Sequence, residues 1–405
     1  MLLAALLGAV DYEVAARRPA LECAFARPYA PIRIVELDAY QVDHAYVVLH
    51  YEIGAPPEAN FTPPMLALLT MVQSMADVRI SKPLAILLPT AGSHPLPSSP
   101  LSRLLRFCAA AAAASRSGFR CDAVRAPVLE LPFTPTKAQQ QATRADLARY
   151  VVSKLLAFSM KAKSVVLLDS DQLFVKNTDA IFEAAAWQAG GPDGERFCRH
   201  IKSIRGGANW MHIRPSAHTF ASLMRAIAVK GNSSAVSFHA PEQDLLGAVC
   251  PVIRKEDGPQ HLDSSYSLPE FMCRRKGNAS GLERAKVLHF LGGAKPWSLV
   301  PLTEFDPLCT NIGDSASCQT LVDKMVARRC YRRAEDARNL EKVWRRARSP
   351  PDANFLLDAY ACCASFFSLW LQTYSKALRY LAQATKCTSF PRESARTLSV
   401  SLGHA

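Results

Sequence analysis

The sequence predicts an α/β protein: a mostly parallel, mixed sheet with helices on both faces, followed by a helical C-terminal appendage. Three observations predict it. Short, continuously apolar runs alternate with stretches whose apolar residues recur every three or four positions, the signature of strand–helix–strand units. Runs such as VVLL at Val165 to Leu168 are apolar without alternation, as strands buried on both faces are. After about Pro307 the style changes to arginine-rich helical patterns with no strand candidates.

In chain order, Ala45 to Tyr51 (AYVVLHY) reads as the first strand, and Pro64 to Val78 as a helix with proline near its start. Lys82 to Pro89 is a strand ended by proline, and the alanine-rich segment from Arg103 is a helix closed by Gly118. AVRAPVLELP, from Ala123, is extended, and Ala142 to Met160 is an amphipathic helix. Ser164 to Asp169 is the fourth strand. A short helix (Asp179 to Trp187), a strand at Asn209 to Ile213, a helix from Ser216 to Gly231 and a strand at Lys286 to Phe290 follow. Two helical patterns, Asp314 to Arg348 and Asn354 to Thr385, are separated by Ser349-Pro350-Pro351. The expected division is an N-terminal segment over 1–44, an α/β domain over 45–306 and a basic helical region over 307–405.

The 405 residues are 49% hydrophobic and 20% charged, which suits a globular chain with a large core. The net charge of +13, much of its excess lying between Lys324 and Arg348, favours anionic partners such as nucleotide phosphates, acidic glycans or lipid headgroups. The simpler reading of that stretch is a solvated helix laced with Glu and Asp. Its aromatics, Tyr331 and Trp344, do not interleave as a base-stacking platform, so no nucleic acid is expected. None of the twelve cysteines forms a CxxC, and Cys362 with Cys363 reads as core rather than metal ligand. The apolar run from Leu2 to Val10 is too short to span a bilayer and lacks a basic flank. It reads as an imperfect secretory signal, as the remnant of a signal anchor if the true start lies upstream, which would allow membrane association through the N-terminus, or as a helix packed on the domain. Sequons at Asn60, Asn232 and Asn278 favour the Golgi or another secretory lumen, with the cytoplasm as the alternative.

Two elements carry chemistry. In VVLLDSDQLFVKN, a buried-strand pattern ends in Asp169 and Asp171. Ligands of open α/β sheets sit at the carboxyl ends of strands, and two buried carboxylates are costly unless a cation neutralises them. One hard divalent ion, its shell completed by a diphosphate, answers both points. In VLHFLGGAKPWSL, His289 ends a strand and offers an imidazole that suits Mn²⁺ better than Mg²⁺. Gly292 allows a phosphate to approach the backbone, Lys295 neutralises its charge, and Pro296 and Trp297 fix the loop and cover the site. A nucleotidyltransferase would need a basic, glycine-rich phosphate loop after the first strand, whereas Gly54 to Pro64 contains neither Lys nor Arg.

LLDSDQLFVKN, IRPSAHTF, PEQDLLGAV and HFLGGAKPW stand in one order from Leu167 to Trp297, and HFLGGAKPW fits H-x-x-G-x-x-K-P-W at every fixed position. In these motifs the chain resembles the glycogenin-like retaining glycosyltransferases, family eight of the GT-A enzymes. The resemblance implies a GT-A, Rossmann-like fold and a UDP-sugar donor. It also implies Mn²⁺, with Mg²⁺ as second choice, held by Asp169, Asp171 and His289. Lys295, Gly292 and Ser170 belong with the donor, as does Lys154, which otherwise reads as a surface lysine. Tyr51, ending the first strand with His50 and Glu52 beside it, is chosen to stack on the base. In PEQDLLGAV, Gln243 falls beneath the anomeric carbon and Asp244 is the second acid. Glu242 stands where the family has Asp, or else is a carboxylate helping a helix dipole. The family's Asn-Ser-Gly or Asn-Ala-Gly is Gly207-Ala208-Asn209 here, which displaces the asparagine by two positions and leaves Asn209 to bind donor from another geometry. The implied reaction moves a hexosyl or uronosyl group to a glycan, glycoprotein or lipid hydroxyl. The alternative is a non-catalytic scaffold or carbohydrate-binding protein of the same fold. Sugar, linkage and oligomeric state are not legible.

Overall fold

In the computed structural model the described residues are 33–50, 63–89, 100–116, 118–137, 139, 150–183, 196–204, 209–231, 240–254, 261–269, 279–290, 295–299, 316–329 and 353–387. The elements are β1 (Ile34–Glu36), β2 (Gln41–Leu49), α1 (Pro63–Asp77), β3 (Leu84–Pro89), α2 (Pro100–Ser115), β4 (Cys121–Ala126), β5 (Lys161–Leu168), β6 (Gln172–Phe174), β7 (Ile201–Ser203) and β8 (Trp210–Ile213). They continue with α3 (Ala217–Lys230), α4 (Pro241–Val249), β9 (Leu268–Pro269), α5 (Ala279–Arg284), β10 (Val287–His289), α6 (Pro296–Leu299), α7 (Ala316–Arg329) and α8 (Ala353–Cys387).

A seven-stranded sheet runs in the order β1-β4-β3-β2-β5-β8-β7. The contacts from β1 through β5 are parallel, and β8 pairs antiparallel with both β5 and β7. The continuous apolar runs are explained by cover on both faces. Tyr46, Val48, Val166 and Leu168 face one core, with α1, α2 and α8, while Ala45, Val47, Val165 and Leu167 face another, with α3 and α4. Helix α3 starts where Ser216 accepts from the Thr219 N–H, an N-cap that satisfies one orphan donor of the first turn. The mixed, mostly parallel α/β architecture is therefore as the sequence predicts.

Four differences have physical causes. Strand β1 lies inside the segment expected to precede the domain, and pairs parallel with β4 through only three residues, too few to show a period. The last turns of the helix expected over Ala142 to Met160 are a 3₁₀ helix, Ser153–Ser159, tightened where Met160 must turn extended into β5. The strand at Lys286 to Phe290 belongs not to the main sheet but to a second one of order β6-β10-β9. The fourth difference is α8, which is no appendage: Phe366, Phe367, Trp370, Leu371 and Tyr374 are buried in the same core as Met65, Leu69 and Val72 of α1. None of the described helices is long and apolar enough to cross a membrane.

Cys362 and Cys363 are buried, as expected of core residues, but are also disulfide-bonded, as is Cys318. Cys198 and Cys250 form a further disulfide across a separation of 52 residues. On the loop-entropy account, closing a loop of that length stabilises by about 4 kcal/mol. The three sequon asparagines, the run from Leu2 to Val10 and the basic stretch beyond Arg329 lie outside the described residues.

On β8, His212 is fully buried beside the Phe182 ring. Burial, then the charges of Lys202 and His44, hold its imidazole down to about 3 from the ordinary 6.5. Between those two values the unfolded chain binds a proton that the folded chain does not. Stability is therefore expected to fall as pH falls from about 7 to about 4.5, by at most about 1.4 kcal/mol per unit from this group. Urea unfolding at both ends of that range should show the slope, and His212→Gln should flatten it. Equal slopes in the two proteins would place the effect elsewhere.

Candidate metal centre

The site forms where the two sheets meet. Strand β5 ends at Leu168, and the next three residues hang between strands of both sheets. The Asp169 N–H donates to the Asn209 carbonyl (3.3 Å), and the Phe290 N–H donates to the Asp171 carbonyl (3.1 Å). The antiparallel register of β6 and β10 sets His289 opposite Gln172, one residue past Asp171. This register brings an imidazole from far along the chain to the two carboxylates.

Asp169, Asp171 and His289 each offer a ligand atom within 4.8 Å of the others. His289 Nε2 lies 3.2 Å from Asp171 Oδ1 and 3.8 Å from Asp169 Oδ2. Among the described residues, Asp171 Oδ1 and His289 Nε2 are buried and make no hydrogen bond. Buried polar atoms are rarely left so, and two atoms that each offer a lone pair to one gap suit a cation. Two carboxylates and one imidazole are a donor set for Mn²⁺ or another divalent ion.

Two lysines flank the cluster. Lys154, on the 3₁₀ helix, is no surface lysine: it is buried and pairs with Asp169 and, at 3.0 Å, with Glu242 Oε1. Burial acts to lower its pKa, but the two carboxylates overcome this and hold the ammonium well above its ordinary value. Lys295 pairs with Asp171 and donates to the Phe290 carbonyl (2.6 Å). Burial acts to raise the Asp171 pKa, but His289 and then Lys295 push it well below the usual carboxylate range. Beside the cluster lies a cavity of about 350 Å³, lined among others by Leu49, His50, Lys154, Ser170, Lys295 and Trp297. Leu49 ends β2 and His50 follows it, so the cavity opens at the carboxyl ends of adjacent parallel strands.

The structure thus brings together Asp169, Asp171, His289, Lys154, Lys295, Ser170 and Glu242. Tyr51 and Gly292 lie outside the described residues. Gln243 and Asp244 are on the first turn of α4 but not among the residues lining the cavity. Asp244 Oδ2 accepts from the Ala240 N–H (3.3 Å), so the helix-start role considered for Glu242 falls to Asp244, while Glu242 answers Lys154. Asn209 turns its side chain to His289 Nδ1 (2.7 Å) rather than to the cavity. Sequence reasoning missed Gln172, whose amide donates to the Asn209 carbonyl (2.6 Å), although it directly follows the aspartates. It also missed Ser267, whose Oγ is 3.3 Å from His289 Nδ1 and which no motif marks.

No family model and no curated protein matches the chain. Solved structures with a detectable likeness include the bifunctional glycosyltransferase WbbM in its apo form, at 11% identity and TM-score 0.36, over 66% of this chain and 46% of that one. Others are the apo glycosyltransferase GlyE of Streptococcus pneumoniae TIGR4 (12%, TM-score 0.38, 67% and 57%) and apo mouse xyloside xylosyltransferase 1 (12%, TM-score 0.34, 64% and 97%). The chain spans about half the length of the first two. At TM-scores below 0.4 such likeness assigns no activity, and the chemistry has to come from the chain's own residues.

Proposed function

We propose that the protein is a metal-dependent, retaining glycosyltransferase that moves a hexosyl or uronosyl group from a UDP-linked donor to a hydroxyl of a glycan, glycoprotein or lipid. The observation that carries this is the Asp169–Asp171–His289 cluster opening on a strand-end cavity with a lysine on either side. The motif resemblance of HFLGGAKPW supports it. The disulfides and the three sequons favour an oxidising secretory compartment.

Asp169, Asp171 and His289 would hold a divalent ion, which would supply Lewis-acid stabilisation of a departing diphosphate, on the order of several kcal/mol of barrier. Lys295 brings a second positive charge to the same edge of the cavity, partly buried and fixed by Asp171 and the Phe290 carbonyl. Lys154 ties α4 to the tip of β5 by bridging Glu242 and Asp169. That bridge holds the first turn of α4 beside the carboxylates, and we assign Gln243 to the electron-poor anomeric carbon. The departing phosphate oxygen can take the acceptor's proton, so retention needs no further protein base.

Incubation with a panel of UDP-sugars and Mn²⁺, scored by UDP release, tests the reading. At least one donor is expected to turn over, and EDTA is expected to stop it. Absence of release across the panel, with and without metal, would overturn the reading.

A further inference from the structure

We propose that Asn209 is a positioning residue that orients His289 for the metal, an inference resting on the metal site proposed above. Asn209 meets the site at three points. Its carbonyl accepts from the Asp169 N–H and from Gln172 Nε2, and its carboxamide lies 2.7 Å from His289 Nδ1. One residue at the start of β8 therefore fixes the tip of β5 and the ring that ends β10.

The ring's chemistry decides what that carboxamide must do. His289 presents Nε2 to Asp169 and Asp171. A neutral imidazole that gives the Nε2 lone pair to a metal carries its proton on Nδ1, and Nδ1 must then donate. With Nδ2 turned to the ring, the Asn209 oxygen is buried without a hydrogen bond among the described residues. A half-turn of the carboxamide exchanges the two atoms and gives Nδ1–H its acceptor, with Ser267 Oγ at 3.3 Å as the weaker second choice. Outer partners of this kind hold metal-bound histidines in one tautomer and raise their basicity. The displacement that puts asparagine at 209 thus serves the metal ligand and not the sugar.

The test is Mn²⁺ binding, measured by calorimetry with metal alone and no sugar donor, alongside thermal melting in EDTA to check the fold. Asn209→Ala is expected to weaken Mn²⁺ binding about 10- to 100-fold. Asn209→Asp keeps the shape and an acceptor oxygen, and is expected to bind Mn²⁺ within a few-fold of wild type or tighter. Wild-type affinity in Asn209→Ala would overturn the inference. So would a loss in Asn209→Asp of about 10-fold or more, and that arm decides the matter even if the alanine variant does not fold. Failure of the underlying site looks different: wild-type protein that binds no Mn²⁺, or Asp171→Asn that binds it as wild type does.

Discussion

Asp171→Asn is expected to cut metal-stimulated sugar transfer by on the order of a thousandfold, with circular dichroism unchanged. The residue sits at the crossing of both charge systems. One oxygen faces His289 Nε2 at 3.2 Å and the other pairs with Lys295. Asparagine keeps the shape and the backbone contact to Phe290, but removes the only formal charge the two share at that point. A metal held there would lose an anionic ligand, while Lys295 would keep its bond to the Phe290 carbonyl. A partly exposed lysine tolerates this, so the melting temperature should fall by only a few degrees, in line with a loss of about 1 kcal/mol. Initial rates with and without Mn²⁺ check it. Equal turnover in the two proteins would show that the carboxylate pair has no part in the chemistry.

Trp370→Ala is expected to destabilise the protein by about 3–5 kcal/mol and to raise the KM for donor in whatever fraction folds. Trp370 is buried, stacks on Tyr374 with centroids 4.7 Å apart, and tilts against Trp297 at 6.3 Å. Trp297 lines the cavity. Removing the indole leaves a void in the α1–α8 core and takes the backing from a wall of the site. Urea unfolding reads the first effect and donor titration the second. Val229→Ala, at a position 82% exposed, serves as control and should move stability by no more than about 0.5 kcal/mol. A Trp370→Ala protein as stable as that control would show that α8 is not part of the core.

What was legible in the sequence was what periodicity and motif spacing record. Strands β2, β3, β5 and β8 and helices α1 and α3 were visible because each buries a full run or stripe. Strands β6 and β9 were not, because three and two residues carry no period, and their pairing depends on a partner over a hundred residues away or on a short crossover. The metal cluster and both lysines were legible because their side chains stand in motifs. The facing of Asn209 was not, because whether a side chain turns to cavity or ligand is set by the register of β5 against β8. The arginine-rich composition of the C-terminal region masked the apolar stripe from Cys362 to Ala377 that makes α8 a core element.

That stripe has a consequence for the order in which the molecule comes into being. Phe366 and Phe367 rest on Phe290, and Trp370 on Trp297, so both flanks of the segment that carries Lys295 lean on α8. A nascent chain that has left the ribosome as far as Trp297 owns every described wall of its cavity yet lacks the buttress behind it. Closure of contacts this distant in sequence is slow and comes late. The protein is therefore expected to stay silent during its own synthesis, and a message cut short before Ala353 should yield a chain that gathers its carboxylates but cannot grip a donor.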